Sequence, residues 1–192
     1  MTSYRHVWVF LVWFWWPSLS AAQCVNSIET SCSVYSTCFE KHCNCAGSED
    51  EYLISFGMNY CNAFLSEHEF SSTGKLWRDS ALRCLQESLV PIIPLDESKT
   101  CDCAKVKEFA YSSHVGCYTQ PSASVCDLPL SDIGLIAKTI IFDSAFIGVM
   151  KDHKDGYAQV KGTLEICSTT AKDEATKKKW LFYLKLLKGK IE

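Results

Sequence analysis

The chain has 192 residues, of which 47% are hydrophobic and 21% are charged, and its formal net charge at pH 7 is −3. This charge balance gives no indication of a nucleic-acid partner, and the length suits one globular domain with a substantial core.

The first 22 residues have the pattern of a secretory signal peptide. A polar start precedes an apolar run at residues 7–16, and the small residues Ser20 and Ala22 stand three and one positions before Gln23. The run is shorter than the roughly 20 residues of a membrane span. We therefore expect cleavage before Gln23 and secretion, with an uncleaved anchor as the alternative. The remaining 170 residues carry a net charge of −4.

The first predicted helix follows a cysteine-rich stretch at residues 24–45. Glu49, Asp50 and Glu51 precede an apolar pattern that runs from Leu53 to Leu65 in steps of three and four. Acidic side chains favour the positive end of a helix dipole, so we interpret the trio as the first turn. A calcium-binding cluster is the alternative, but the spaced oxygen ligands and turn glycine of a calcium loop are missing.

Two further helices are predicted before residue 121. Hydroxyl residues at positions 71–73 can cap a helix that carries Trp77 and ends before Pro91. A third helix is predicted over residues 98–116. Its buried face is expected to hold Cys103, Val106, Phe109, Ala110 and Cys117.

An apolar helix capped by Ser131 is predicted after a loop at residues 121–129. We expect it to be the most buried helix, because its face carries Ile133, Ile136, Ile140, Ile141, Phe146 and Val149. Beyond residue 150 the helical pattern weakens, since Gly156 and Gly162 have low helix propensity. Three later residues indicate a buried return to the core: Leu164, Ile166 and Cys167.

The C-terminal segment, residues 171–192, is basic and amphipathic. Its seven lysines and three acidic residues give a net charge of +4. We expect residues 174–190 to form a helix that packs an apolar stripe on the domain. Contact with an acidic lipid surface, a glycan or a protein is the alternative. The stripe comprises Trp180, Tyr183, Leu184, Leu187 and Ile191.

All 12 cysteines follow the predicted signal peptide, and an even number in an exported chain indicates a disulfide framework. Two Cys-x-Cys pairs, Cys43 with Cys45 and Cys101 with Cys103, offer the four thiolates of a zinc site as an alternative. Their spacing is shorter than is usual in structural zinc sites, and the export route oxidises thiols. We therefore expect disulfides and no metal.

No catalytic site is predicted. His114 and Cys117-Tyr118 are similar to part of the active-site helix of secreted calcium-dependent phospholipases, but Val115 stands where that pattern has its calcium-binding aspartate. Neither a His-Glu-x-x-His nor a Gly-x-Ser-x-Gly motif occurs. We expect His114 to be an ordinary polar helix residue and the protein not to be an enzyme. A divergent hydrolase with dispersed carboxylates is the alternative.

Short segments between the cysteines form a family pattern. They are Cys24-Val25-Asn26-Ser27, Cys61-Asn62-Ala63-Phe64-Leu65, Phe70, Gly74-Lys75, Ser80-Ala81-Leu82-Arg83-Cys84 and Cys117-Tyr118. The segments and their intervals resemble the stanniocalcins, which are secreted helical regulators of calcium and phosphate handling. The resemblance extends to Cys126 and more loosely to Cys167.

The resemblance and the helical periodicity together favour an all-α fold. We expect a single disulfide-stapled helical domain at residues 23–170, followed by the basic helix of residues 171–192. The resemblance implies four bridges: Cys24 with Cys38, Cys32 with Cys61, Cys84 with Cys117, and Cys126 with Cys167.

The four cysteines of the two Cys-x-Cys pairs remain, where the family has one bridge. We expect Cys43 and Cys45 to join Cys101 and Cys103 in an order that stays open. With all 12 thiols paired, we expect no disulfide-linked dimer.

The resemblance also implies a function. It favours a non-enzymatic hormone or inhibitor that acts by binding an extracellular protein, with calcium or phosphate homeostasis as the family's setting. The alternative is a cysteine-rich secreted protein that binds lipid or membrane surfaces through the C-terminal segment. No cofactor is expected, and the identity of the protein partner stays open.

Overall fold

The computed structural model describes residue 24 and residues 31–94, 100–120, 122–141 and 154–188. Over these ranges the chain forms seven helices and no β-strand, so the expected all-α, disulfide-bonded fold is confirmed. The predicted signal peptide lies outside the described residues, as do Phe146 and Val149 of the predicted apolar helix.

Two of the helices begin in π-helical geometry. Helix α1 comprises Tyr35–Phe39 as a π-helix and Glu40–His42 as an α-helix, and α2 likewise comprises Leu53–Met58 and Asn59–Ser66. A 3₁₀ turn at Val125–Asp127 precedes α5. Helices α3 to α7 comprise Ser72–Leu89, Cys103–Tyr118, Leu130–Ile141, Lys154–Thr170 and Glu174–Lys188.

Acidic side chains fix the first turn of α2. The two carboxylate oxygens of Glu51 accept hydrogen bonds from the backbone N–H groups of Ile54 and Ser55, at 2.8 and 3.0 Å. Asp50 pairs with Lys107 at 3.1 Å. Because a helix leaves its first N–H groups without intrahelical partners, Glu51 satisfies two groups that would otherwise need water. These two carboxylates therefore have structural partners.

A buried carboxylate connects the start of α3 to α5. Ser71 caps α3 by accepting a hydrogen bond from the Gly74 N–H at 3.1 Å. Asp132, which is almost fully buried, accepts hydrogen bonds from the Ser71 N–H at 3.0 Å and from the Ser71 hydroxyl. Gly74 allows this approach, since a Cβ there would come within 3 Å of the carboxylate. The charge also suits the positive end of the helix dipole.

The buried face of α4 differs from the predicted one. Phe109 is 38% exposed, whereas Tyr111 packs in the core against Tyr52 with ring centroids 5.4 Å apart. The prediction was wrong for Phe109, because the aromatic side chains at the start of α2 pack against Tyr111 instead. The buried residues are Val106, Ala110, Tyr111, His114 and Cys117. Helix α4 also begins at Cys103, after the N-cap Asp102, and thus later than predicted.

Helix α6 is continuous through both of its glycines. The expectation of a weak helical pattern beyond residue 150 was therefore wrong for Lys154–Thr170. Close packing explains the sequence at Gly162, because a Cβ there would lie 3.2 Å from a methyl group of Val115 on α4. The absent side chain lets the two helices approach, and this packing offsets the low helix propensity of glycine.

The described part of α5, Leu130–Ile141, is not the most buried helix, so the prediction was wrong for these residues. Ile133, Ile136 and Ile140 are only partly buried, and Asp132 is the one fully buried residue among the α5 side chains that the structure describes. The reason is that the three isoleucines line a cavity, where a packed core was expected.

The cavity has a volume of about 420 Å³ and receives side chains from all seven helices. Its lining is almost wholly apolar, and the 37% exposed Val160 brings its edge to the surface. At about 24 cal/mol per Å³, an enclosed empty volume of this size would cost about 10 kcal/mol, which is comparable to the total stability of a domain. This cavity opens at the surface, so solvent or a ligand can enter it.

Candidate functional site

Six disulfides cross-link the described part of the chain. All described cysteines are paired. Four of the pairs are those that the resemblance implies. The two Cys-x-Cys pairs join each other, as expected for the four remaining cysteines. The bridges are Cys24–Cys38, Cys32–Cys61, Cys43–Cys101, Cys45–Cys103, Cys84–Cys117 and Cys126–Cys167.

Two of these bridges form a double staple, by which we mean Cys43–Cys101 together with Cys45–Cys103. Their Cα atoms are 5.1 and 5.8 Å apart, and each bridge spans 58 residues. The structure thus gives the order that the sequence leaves open: the first cysteine of one pair joins the first of the other, and the second joins the second. The four sulfur atoms lie within 4.8 Å of one another, and after reduction they would match the ligand number of a structural zinc site. Joined as disulfides, they present no thiolate to a metal.

His114, which is similar in sequence context to the histidine of the secreted phospholipases, lies in the core. Its Nδ1 donates a hydrogen bond to the Ala110 carbonyl oxygen at 2.6 Å, and Nε2 lies 3.4 Å from the Tyr52 hydroxyl. Burial lowers the pKa of His114 to about 4, so the imidazole is neutral at physiological pH. The expectation of an ordinary polar helix residue was wrong, because the aromatic surroundings of Tyr52 and Tyr118 enclose the ring.

Helix α7 packs on the domain through one face. Trp180 and Leu184 are buried, and the indole N–H of Trp180 donates a hydrogen bond to the Cys126 carbonyl oxygen at 3.0 Å. This contact joins α7 to the Cys126–Cys167 bridge. Within the predicted stripe, Tyr183 stays exposed although its ring contacts Trp180. The Leu187 side chain and Ile191 lie outside the described residues.

A second apolar face of α7 points away from the domain. Leu181, Phe182 and Leu186 are 41%, 58% and 48% exposed, and we call these three residues the outer apolar surface. Exposed Lys178 and Lys185 share this side of the helix, since residues three and four apart lie on one face. The predicted single stripe did not include this surface. The four-residue interval between Phe182 and Leu186 was the signal that could have indicated it.

No helix in the described ranges is long and apolar enough to cross a membrane. Comparisons of this chain with protein-family models, with curated proteins and with solved structures find no match.

Proposed function

We propose that this chain is a secreted, non-enzymatic regulator that acts by binding an extracellular protein, and that it is a divergent stanniocalcin-like protein. The observation that carries the proposal is the disulfide framework, in which four pairs have the partners that the resemblance implies. Disulfides persist in oxidising compartments, which supports export.

The surface chemistry of α7 also supports a binding role. Contiguous exposed apolar residues on a folded protein commonly mark an interaction site. The outer apolar surface lies on a helix that Trp180 holds to the domain, so it is presented in a fixed orientation. A rigid surface of this kind loses little conformational entropy when a partner binds.

Expression of the full chain in a secretory cell line tests the export step. We expect the protein in the medium, with Gln23 as its first residue and a monomer-sized band on a non-reducing gel. Retention inside the cells with free thiols would contradict the proposal.

A binding experiment tests the regulator step. Immobilised native protein should retain an extracellular protein in stoichiometric amounts, and the reduced and alkylated protein should not. The variant Phe182→Ser/Leu186→Ser should lose this partner. Leu130→Ser is the matched control, because Leu130 is exposed on a different helix. A partner that binds the reduced chain equally well would argue against recognition by the folded surface.

Membrane-surface binding is the second candidate function, and the lysines beside the outer apolar surface favour it. An apolar helix face with flanking lysines suits acidic lipid, where each basic residue contributes about 1 kcal/mol. The test is co-sedimentation with phosphatidylserine-containing and with purely phosphatidylcholine vesicles. Binding of the wild type to the acidic vesicles alone, lost in Phe182→Ser/Leu186→Ser, supports this candidate. No sedimentation with either vesicle excludes it.

A further inference from the structure

The polar groups of the cavity indicate what it can hold. Among them is Gln159 on α6, whose side-chain nitrogen is buried and has no hydrogen-bond partner in the described part of the molecule. A buried donor without a partner is unfavourable, because folding removes its hydrogen bonds to water without supplying a new acceptor. An acceptor atom on a bound molecule would satisfy this group.

The described residues of the lining carry no unpaired charge. Arg78 is the one charged side chain among the described lining residues, and it lies 2.8 Å from the carboxylate of Asp79. Its guanidinium also donates to the Glu67 carbonyl oxygen at 3.4 Å. His114 is bonded to its own helix through Nδ1. With Arg78 already neutralised, an anion would find no free positive charge on the lining residues that the structure describes, so a neutral molecule is favoured.

The volume limits the size of the occupant. If each non-hydrogen atom takes up to the ~30 Å³ that a water molecule occupies in the liquid, then about 420 Å³ holds at least about 14 such atoms. Water is disfavoured, since a buried water needs about two to four polar partners.

We propose that the cavity is a binding site for a neutral lipid, that is, a mainly hydrocarbon molecule with a hydrogen-bond acceptor that pairs with Gln159. The size fits the usual range of small-molecule sites, about 300–1,000 Å³. The exposed edge at Val160 gives the ligand a route of entry. This inference is independent of the proposed function, which concerns a protein partner.

A fluorescence titration of the full disulfide-bonded protein tests the proposal. The probe is N-phenyl-1-naphthylamine, which is neutral and apolar and becomes bright in apolar sites. We expect saturable binding at one site per chain, and displacement by 1-monolauroylglycerol. The laurate anion should displace the probe at least 10-fold less effectively. Absence of saturable binding overturns the site, and equal displacement by laurate overturns the neutral ligand.

Variants that fill the cavity locate the binding. Ala137→Phe and Val160→Phe each place a ring in the lining and should weaken probe binding at least 10-fold. Ala158→Phe is the matched control, because Ala158 is exposed on the same helix as Val160 and outside the cavity. The melting temperatures of all three variants show whether each one folds. If one cavity-filling variant misfolds, the other decides the test. Folded variants that bind the probe as the wild type does overturn the location.

The role of Gln159 has its own test. Gln159→Leu keeps the size of the side chain and removes the donor. Monolauroylglycerol should then bind about 5-fold more weakly, the effect of one hydrogen bond. The probe itself should bind unchanged. Equal affinity of the variant for monolauroylglycerol would show that Gln159 does not contact the ligand.

Discussion

Buried polar residues with distant partners define much of this fold. Asp132 and Ser71 are 61 residues apart in the chain, yet their hydrogen bonds close the start of α3. His114 lies in an aromatic environment to which Tyr52 and Phe56, at the start of α2, contribute. Local sequence patterns describe neither contact, because each depends on how helices are placed in space. The burial of these two residues could not be predicted from the sequence for that reason.

We predict that Asp132→Ala lowers the free energy of unfolding by about 2–3 kcal/mol. The substitution leaves the Ser71 N–H and hydroxyl buried without acceptors, and it removes the negative charge from the helix start. Urea unfolding measures the change. The matched control is Glu87→Ala, which removes an exposed ion pair with Arg83 and should cost at most about 0.5 kcal/mol. Equal effects of the two variants would contradict the role of Asp132.

His114 should make stability depend on pH. Its folded pKa of about 4 lies below the ordinary value of 6.5, so the folded state favours the neutral ring. The stability from His114 is therefore fully present above about pH 6.5 and is lost as the pH falls toward 4, because the unfolded chain binds the proton more readily. The full effect is about 3 kcal/mol.

The substitution His114→Gln tests this dependence. Between pH 7 and pH 4, the free energy of unfolding should fall by about 3 kcal/mol less in the variant than in the wild type. Urea unfolding at several pH values gives the comparison. His68→Gln, at an exposed position, should keep the wild-type slope. If the slope is unchanged in His114→Gln, the histidine is not the group that titrates.

At the level of elements, capping signals and apolar spacing predicted where helices lie. Ser71 caps α3, as the local pattern indicated. The acidic trio was wrongly placed in the first turn of α2, because that helix begins at Leu53 and Glu51 bonds to it from outside. Ser131 was wrongly predicted to be a cap, because α5 already begins at Leu130. Gly162 misled the prediction for α6, because its role is contact with Val115 on another helix. The apolar spacing in α5 correctly predicted a helix but not how deeply its residues are buried, since apolar residues can face a cavity as well as a core.

Helix α7 has two apolar faces, which should respond differently to substitution. Trp180→Ala removes a buried side chain and its hydrogen bond to Cys126, and should lower stability by about 3–5 kcal/mol. Phe182→Ala removes a largely exposed ring and should change stability by less than about 0.5 kcal/mol. Thermal unfolding of both variants is the measurement. A large effect at Phe182 would mean that the outer apolar surface is covered.

At the scale of the whole molecule, the double staple joins the N-terminal third of the chain to α4. Both bridges close nearly the same loop, so they are partly redundant. A single bridge over 58 residues lowers the conformational entropy of the unfolded chain and so stabilises the fold by about 4 kcal/mol. The second bridge adds less, because the loop is already closed.

Serine variants should reveal this redundancy. The pair Cys43→Ser/Cys101→Ser should cost well under about 4 kcal/mol, whereas replacing all four cysteines should cost about that amount or prevent secretion. Unfolding measurements and the yield of secreted protein give the comparison. Peptide mapping without reduction should still find Cys45 joined to Cys103 in the first variant. A first variant as unstable as the second would contradict redundancy.

The Trp180 contact also gives the protein a built-in optical reporter. Four of the six tryptophans lie within the predicted signal peptide, so a chain cleaved before Gln23 would retain Trp77 and Trp180. Both are buried, and Trp77 donates its indole hydrogen bond to the Tyr118 carbonyl oxygen, far along the chain from α7. In a Trp77→Phe background, the emission comes from Trp180 alone. Detachment of the C-terminal helix, by a partner or by a membrane, would then appear directly as a shift of that emission to longer wavelength.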